Sequence, residues 1–520
     1  MERYRSHVGR RATGLATVAA AALALAGCGT TVQLPPNGTG AALAGGTSDG
    51  LSVPSPTAPS TIASGLPSAV PGSATPTSTR GTRPASGTTS SQPVQSLTPT
   101  QASTASATGP IVGVTAKTIN IGIVTADGFD KTATNLGFNV AVGSGHDEAL
   151  AIVNYINRHG GMAGRKVVPV FYDLNVGRST TNHPAEEQAA CTSLTQDHHI
   201  YAVASAVGWN DTLFYDCLRK AGAISSVAGE AFDQQFFAAD ADYFYMPVEI
   251  NMTRAMADNV GALGSAGFFT GWNSVTGHPG PLPVKIGLLR NDSPSDLAVM
   301  NQGVKPALAR RGLSLTDSIA LSANASQFAA QESSAVLKFK AEGITHVLST
   351  FASPLLFMEA AQTQGYFPRY GLQSRDSPAA VLEGNAPKQQ LEGSMGLGWQ
   401  PYNDVDAAHD PGPPSPRAKL CLQLLRKAGQ NTASRATALV GLWYCDTLFF
   451  LRDALAAAPN LSVTGFREGA ESLHKFDAAS TFQSGFAPGR LHDGAQEYRL
   501  FAYRDSCHCY SYVTPLRKAP

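Results

Sequence analysis

The residues with the clearest chemical potential are seven cysteines, because thiols form disulfides, bind metals and carry lipids. Two of them flank a histidine in the run Cys507-His508-Cys509. Residues i and i+2 of a strand face the same side, at a Cα separation near the upper limit for a disulfide. The alternative is a metal site at these three residues, but structural zinc normally requires a second such pair elsewhere. We therefore predict a local disulfide and no metal site.

Four further cysteines lie in predicted helical segments. Cys191 precedes the strand that begins at Ile200 and Cys217 follows it, so helices on one face of a sheet would bring the two thiols together. Cys421 and Cys445 also lie on consecutive helical segments. We predict one bridge within each pair, since disulfides persist in exported proteins. Six cysteines allow fifteen pairings, so the connectivity stays a hypothesis.

The seventh cysteine, Cys28, ends an N-terminal segment typical of export. Four arginines precede an uncharged, mostly apolar run from Ala12 to Ala26, which is too short to span a bilayer comfortably. The run ends in Leu25-Ala26-Gly27-Cys28, which matches the bacterial lipobox, where cleavage before Cys leaves a thiol that carries diacylglycerol. We predict a signal peptide over residues 1–28 and a lipid anchor at Cys28 on the outer face of the cell membrane. The Sec and twin-arginine routes both stay open.

Residues 29–110 consist mainly of Ser, Thr, Pro, Gly and Ala. Such a segment buries too little apolar surface to offset its ordering entropy, so we predict a disordered linker. Its Thr/Ser-Pro clusters leave O-glycosylation open. Roughly 410 residues follow, which is more than one core usually organises, so two lobes are expected. The formal net charge is zero and no basic stripe stands out, which argues against nucleic acid as a partner.

Sequence motifs for catalysis are absent. The Gly-x-Ser-x-Gly run at Gly46 to Gly50 lies in the segment rich in Ser, Thr and Pro, without the strand and helix that a nucleophile elbow requires, and the chain contains no dinucleotide-binding glycine turn, Walker loop or His-Glu-x-x-His helix. We expect no enzymatic activity and no cofactor. A cell-wall hydrolase or esterase is the less favoured alternative, because scattered Ser, His and Asp residues can converge in space.

The strand–helix–strand pattern from Ile119 to Asp173 organises the rest of the chain. An apolar β-branched run ends at Thr125-Ala126-Asp127-Gly128, as a strand buried on both faces of a parallel sheet does. Apolar residues at helical spacing follow from Asp147, and Gly160-Gly161 predicts the helix end. A second strand over 165–173 completes a βαβ unit.

These residues also carry a family resemblance. The runs INIGIVTADG and EALAIVNYINRHGGMAGRKVVPVFYD resemble the opening of the type I periplasmic binding proteins, in the branch of the leucine/isoleucine/valine-binding proteins of ABC transporters. That signature is a strand, a helix ending in an Asn-x-x-Gly-Gly-(hydrophobic)-x-Gly-Arg turn, and a strand ending in Asp. The matching residues are Asn157, Gly160, Gly161, Gly164, Arg165 and Asp173.

The resemblance implies an α/β fold of two Rossmann-like lobes with parallel central sheets, joined by a three-crossover hinge. It implies that residues 111–246 and 372–490 form the first lobe and residues 247–371 and 491–520 the second. The stretch Tyr370 to Arg375 is then expected to cross back, which assigns Gly393 to Trp399 to the first lobe. The implied partners are a small-molecule ligand in the cleft between the lobes and an ABC transporter permease. A monomer is expected.

In open α/β sheets, ligands bind beyond the carboxyl ends of the strands. Loops at these ends therefore supply the candidate ligand residues. For each polar one, turn formation or helix capping is the alternative, and Trp209 either stacks on a ligand or packs under its own helix. The candidates are Thr125, Asp127, Gly128, Trp209, Asn210, Asp211, Ser226, Gly229, Glu230, Asn291, Asp292 and Ser353.

The chain departs from the amino-acid-binding branch at one place. That branch has an acidic residue after the second-lobe strand that binds the α-ammonium group, whereas the run Phe351 to Leu356 contains no acid. An α-ammonium buried without a counter-ion costs several kcal/mol, so we predict a polar or amphipathic ligand other than leucine. A ligand-sensing receptor of the same fold, without transport, is the alternative to delivery to an importer.

Overall fold

The computed structural model describes residues 111–126, 143–209, 212–322, 325–350, 354–384, 386–410, 412 and 414–519. The predicted signal peptide, Cys28 and the predicted linker lie outside these residues. The strands are β1 (Thr118–Thr125), β2 (Lys166–Asp173), β3 (Ala202–Ser205), β4 (Ile224–Val227), β5 (Phe244–Tyr245), β6 (Trp272–Asn273), β7 (His278–Pro279), β8 (Ile286–Asn291), β9 (Leu315–Leu321), β10 (His346–Ser349), β11 (Arg369–Gln373), β12 (Met395–Gly398), β13 (Glu497–Arg504), β14 (Cys509–Tyr512) and β15 (Arg517–Lys518).

Helices connect most of these strands, as the alternating sequence pattern predicts. The α-helices are α1 (Gly145–Arg158), α2 (Val176–Thr181), α3 (His183–Thr192), α4 (Leu213–Lys220), α5 (Gln234–Ala239), α6 (Met252–Ser265), α7 (Pro294–Val299), α8 (Lys305–Ala309), α9 (Ala325–Glu342), α10 (Leu355–Thr363), α11 (Pro378–Glu383), α12 (Lys388–Leu391), α13 (Pro401–Asp404), α14 (Pro416–Lys427), α15 (Arg435–Ala457) and α16 (Val463–Glu471). Single π-helical turns extend α3 and α7, and 3₁₀ turns span Ser374–Asp376 and Ala407–His409. No helix among the described residues is long and apolar enough to cross a membrane.

The first lobe is built on a five-stranded parallel sheet in the order β2-β1-β3-β4-β5. Strand β1 lies between β2 and β3, and Ile121 is level with Pro169 on one side and Ala202 on the other. The apolar side chains of β1 are fully buried, as expected for a strand covered on both faces. The predicted βαβ unit is therefore present.

Local sequence signals determine where α1 begins and ends. The Ser144 hydroxyl accepts a hydrogen bond from the Asp147 N–H at 3.2 Å, which satisfies one of the free donors of the first turn. After the helix, Gly160 and Gly161 have φ of 98° and 72°. A Cβ on Gly161 would collide with the Arg165 carbonyl group, so only glycine fits this turn.

The second lobe is built on a mixed sheet in the order β14-β13-β12-β11-β10-β8-β9. Strands β9, β8, β10, β11 and β12 run parallel, whereas β13 and β14 add to the edge in antiparallel fashion. Helix α6 packs on one face of this sheet, and the apolar residues of α9 and α10 pack on the other. The expected α/β architecture of two lobes is present, although the second sheet is not purely parallel.

The boundary predicted at residue 372 falls inside β11 and wrongly assigns β12 to the first lobe. Both β11 and β12 belong to the second sheet, where Gly371 pairs with Met395. The chain therefore returns to the first lobe only after Gly398. The physical reason is that the sequence of a short, buried, apolar strand does not specify which sheet it joins, since pairing is decided by contacts distant in sequence.

Three chain segments connect the lobes, at residues 246–251, 399–404 and 491–496. The Gly494 N–H donates to the Met246 carbonyl group at 2.8 Å, and the Ala495 N–H donates to the Glu249 carbonyl group at 3.0 Å. The Gln400 side-chain amide donates to the Val248 carbonyl group at 3.2 Å. The second and third crossing segments thus both bond to the first, as expected for a three-crossover hinge.

Helix α15 covers the first sheet after the second crossing and is almost wholly buried. The Tyr444 hydroxyl donates to the Val124 carbonyl group at 2.7 Å. Disulfides join Cys191 to Cys217, Cys421 to Cys445 and Cys507 to Cys509, which are the three pairs that the sequence predicted.

Candidate functional site

A fully buried carboxylate, Glu249, lies where the crossing segments meet. One carboxylate oxygen accepts hydrogen bonds from the Gly229 N–H at 3.1 Å and from the Gln400 amide at 2.7 Å. The other accepts from the Trp399 indole N–H at 3.1 Å. Burial raises the pKa of Glu249, and the charge of Arg375 and these hydrogen bonds oppose that rise. Glu249 therefore joins the loop after β4 to two of the three crossing segments.

The guanidinium group of Arg375 closes the same junction from the second lobe. Arg375 lies in the 3₁₀ turn after β11, and its Nη1 donates to the Gly229 carbonyl group. The side chain is almost completely buried. The turn is fixed by Asp376, whose carboxylate accepts the Gln373 N–H at 2.9 Å. Gly229 of the first lobe is thus in contact with both Arg375 and Glu249, and we call these three residues the interlobe junction.

A polar group on the first lobe lies next to this junction. A Cβ on Gly208 would lie 3.1 Å from the Tyr215 hydroxyl oxygen, 3.4 Å from Ser205 Oγ and 3.6 Å from Glu230 Oε1. Tyr215 and Glu230 are both buried. The indole of Trp443 covers Gly229, whose φ of +80° and close contact with the ring exclude a larger residue. Hydroxyl, carboxyl and aromatic groups therefore meet at the ends of β3 and β4.

The second lobe places the N-terminus of α7 opposite. Ser295 Oγ accepts a hydrogen bond from the Asp233 N–H at 3.0 Å, which is a second contact between the lobes. The neighbouring Asp296 is buried, and its carboxylate accepts from Ser293 Oγ at 2.7 Å and from the Thr350 hydroxyl. Burial raises the pKa of Asp296, and these hydrogen bonds oppose the rise.

The structure places three predicted ligand residues in internal contacts. Thr125 Oγ1 donates to Asp173 at 3.1 Å, and Ser226 Oγ donates to the Thr447 carbonyl group at 3.1 Å. Trp209 is buried, and its indole donates to Ser179 Oγ at 3.3 Å. Trp209 also lies against Phe214 of α4, with ring centroids 4.9 Å apart, so it packs under its own helix.

The other predicted residues divide into three groups. Gly229 and Glu230 lie at or beside the interlobe junction. Asn291 donates to the Asp296 carboxylate, whereas Asp292 is exposed. The remaining candidates, Asp127, Gly128, Asn210, Asp211 and Ser353, lie outside the described residues.

Sequence reasoning missed Glu249, Arg375, Trp399 and Gln400. Only Glu249 had a readable signal, because it is an acid between Val248 and Ile250 in a short apolar run after β5. Unpaired acids are rarely buried, so this position indicates partners elsewhere in the chain. Nothing local identifies Arg375 as one of them.

A cavity of about 360 Å³ lies beside the first and third crossing segments. It is lined by charged and amide side chains, including Asn251, Arg254, Arg490, Asp493 and Lys518. The buried Asp493 carboxylate accepts hydrogen bonds from Asn251 and, at 2.7 Å, from Arg254. None of the described candidate residues lines this cavity, so we assign the site to the strand ends around the interlobe junction.

Solved structures share this arrangement of two lobes. An ABC transporter solute-binding protein from R. palustris in complex with 4-hydroxybenzoate has a TM-score of 0.55 at 14% identity, covering 78% of this chain and 98% of its own. A fatty acid ABC transporter substrate-binding protein from Thermomonospora curvata gives 0.54 at 14%, over 78% and 94%. A substrate-binding protein from Desulfitobacterium hafniense in complex with Leu gives 0.50 at 14%, over 76% and 100%.

The chain therefore has the fold of the type I periplasmic binding proteins, as the sequence resemblance predicted. No protein-family model matches the chain, and no curated protein sequence matches it.

Proposed function

We propose that this chain is an extracytoplasmic solute-binding lipoprotein that captures a small polar or amphipathic molecule between its lobes and delivers it to an ABC importer. The observation that carries the proposal is the interlobe junction, where Glu249 and Arg375 bring strand-end loops of the first lobe against the second. A ligand held by loops of both lobes stabilises the closed state relative to the open one. An importer can then distinguish the loaded protein from the empty one.

The ligand class follows from the groups around the junction. Buried Tyr215 and Glu230 supply polar contacts, and Trp443 supplies an aromatic face. The relatives in fold were solved with Leu and with 4-hydroxybenzoate, and one is described as a fatty acid binder, so this architecture accommodates chemically different solutes. The run Phe351 to Leu356 lacks the acid that an α-amino group requires, which favours a ligand without that group.

A thermal-shift screen of the purified protein tests this proposal. The screen covers amino acids, sugars, nucleosides, polyamines and aromatic acids. A solute that binds only the folded protein, at about a hundred times its Kd, adds roughly 2.7 kcal/mol and raises the Tm by a few degrees. We expect one chemical class to give this shift. The shift should decrease in Glu230→Gln and stay unchanged in Asp197→Asn, because Asp197 is an exposed acid that precedes β3, at the opposite end of that strand from the candidate site.

A flat screen, with no solute found in the purified protein, would contradict capture of a small molecule. That result would favour a receptor of the same fold whose partner is a peptide or a glycan. One fold relative from Rhodopseudomonas palustris is described as an extracellular ligand-binding receptor. Hydrolysis of generic esters or glycans by the purified protein would instead support the hydrolase alternative.

The membrane anchor is a separate part of the proposal and has its own test. Cys28→Ser removes the thiol that would carry the lipid, so the protein should move from the membrane fraction to the soluble fraction. Thr30→Ser is the matched control, since it changes a side chain two residues from Cys28 but leaves the lipobox intact. Equal membrane association of the Cys28→Ser variant and the unaltered protein would contradict the anchor.

A further inference from the structure

Three metal-ligating side chains from two distant parts of the chain come together on the second lobe. They are His409, in the 3₁₀ turn after the second crossing, and Cys507 and Cys509, at the turn between β13 and β14. One ligand atom from each lies within 4.8 Å of the others. The histidine next to the cysteines in sequence, His508, is not part of this group.

The ring of His409 is held in place by a carboxylate on its own turn. Its Nδ1 lies 2.7 Å and 2.9 Å from the two carboxylate oxygens of Asp406. Asp406 is itself fixed, because it accepts the N–H groups of Ala408 and His409 at 2.8 Å and 3.2 Å. A carboxylate bound to one ring nitrogen sets the tautomer and leaves the other nitrogen, Nε2, with a free lone pair. Carboxylate–histidine pairs of this kind support metal ligands in proteins.

In the oxidised protein the two sulfur atoms are bonded to each other, so neither is a thiolate. We propose that reduction of the Cys507–Cys509 disulfide opens a Cys₂His site that binds Zn²⁺. A dithiol reductant supplies two electrons and two protons, becoming a disulfide itself as the S–S bond becomes two thiols. Zn²⁺ then replaces both thiol protons, which pass to solvent, and binds two thiolates and His409 Nε2. Water takes the fourth position.

Accessibility makes this bridge the one that a reductant reaches first. Cys507 is exposed, whereas Cys191, Cys421 and Cys445 are fully buried and Cys217 is half-buried. Thiol–disulfide exchange requires a thiolate to approach a sulfur atom, so burial slows the exchange at the other two bridges. Mild reduction should therefore release two thiols per chain while those bridges stay closed.

His508 provides an internal control for the geometry. Its Nε2 lies 3.0 Å from Lys388 Nζ, and its Nδ1 lies 3.2 Å from the Tyr503 hydroxyl oxygen. Both ring nitrogens therefore have partners other than the sulfur atoms. A site formed by sequence neighbours would depend on His508, whereas the site formed in the fold depends on His409.

The test is Co²⁺ and Zn²⁺ titration of the intact protein before and after mild dithiol reduction, with thiols counted by mass spectrometry. In the reduced protein, Co²⁺ should give one equivalent of thiolate-to-metal absorption, and Zn²⁺ should abolish it. The oxidised protein should give none. His409→Ala should weaken the affinity for Zn²⁺ by at least tenfold, Asp406→Asn should weaken it less, and His508→Ala should leave it unchanged.

Three results would overturn the proposal. The first is a selectively reduced protein that binds no Co²⁺. The second is equal binding by the double variant Cys507→Ser, Cys509→Ser, since the metal would then lie elsewhere. The third is loss of binding in His508→Ala but not in His409→Ala. Folding is monitored by the Tm of each oxidised variant, so a failure to fold is separated from a failure to bind.

Discussion

Two glutamates, Glu249 and Glu332, are buried to the same extent but in different surroundings. Glu249 accepts three hydrogen bonds at the interlobe junction, and the charge of Arg375 is nearby. Glu332 lies on α9 in the second lobe, and among the described residues neither of its carboxylate oxygens has a hydrogen-bond partner. Desolvation raises the pKa of Glu332 to about 8. The hinge thus surrounds its carboxylate with donors, whereas the second-lobe core retains a carboxyl group that carries a proton at neutral pH.

The difference indicates that Glu249 links segments of the two lobes, whereas Glu332 is buried without such a role. The donors to Glu249 come from segments far apart in the chain, so its carboxyl group connects those segments through hydrogen bonds. Burying a charge without such donors is costly, and a group in that position neutralises instead. The comparison predicts opposite effects of removing the two side chains.

Removal of the Glu249 side chain should have the largest effect. Glu249→Ala leaves the Gly229 N–H, the Trp399 indole and the Gln400 amide without their acceptor, and removes a carboxyl group that interacts with the charge of Arg375. We expect the free energy of unfolding in urea to fall by about 3–5 kcal/mol. Glu249→Gln retains one acceptor oxygen and should lose less. A loss below about 1 kcal/mol in the alanine variant would show that the junction does not couple the lobes.

Replacement of Glu332 should act in the other direction. Glu332→Leu substitutes apolar volume for a carboxyl group without partners, so the free energy of unfolding at pH 7 should rise by about 1–3 kcal/mol. Glu332→Gln is the matched control, because it keeps a polar group in the same place and should gain little. A destabilised leucine variant would mean that the carboxyl group has a partner that it needs.

The smallest expected effect is the change in the free energy of unfolding for each unit of pH. The folded pKa of Glu332, about 8, lies above its ordinary value of 4.5, so between these values the folded protein binds more protons than the unfolded chain. The stabilising contribution is complete below pH 4.5 and is lost as pH rises through 8, with a slope of at most about 1.4 kcal/mol per pH unit. The free energy of unfolding, measured by urea titration at a series of pH values, should fall less steeply with pH in Glu332→Gln than in the unaltered protein. Parallel profiles for the two proteins would contradict this pKa.

The parts of the structure that the sequence predicted are those set by neighbours in the chain. The turn at Gly160 and Gly161 needs backbone conformations that glycine adopts readily, and the apolar run of β1 identifies a doubly covered strand. The bridge between Cys191 and Cys217 followed from one strand between two helices. Each of these inferences spans at most a few tens of residues.

The parts that sequence reasoning missed depend on contacts between remote segments. Strand β12 was assigned to the wrong lobe because the local sequence of neither strand specifies that β12 pairs with β11. Arg375 is one polar residue among several in its turn, and only the fold brings its guanidinium group to Gly229. Trp209 follows a strand end, where ligands bind in this architecture. Its ring, however, contacts Phe214, and its indole N–H donates to Ser179, so internal contacts use both the aromatic face and the polar group.

The position of α15 affects how the protein reaches its folded state. Its Tyr444 bonds to Val124 across 320 residues, and its Thr447 accepts the Ser226 hydroxyl across 221. The entropy of closing such long loops is lost before the contacts that stabilise the fold are formed. Folding that depends on contacts this distant in sequence is therefore slow. All five strands of the first sheet leave the ribosome long before the helix that covers them. A chain still being synthesised or exported therefore exposes an apolar sheet face, the state most prone to aggregation, and needs protection until its last third has emerged.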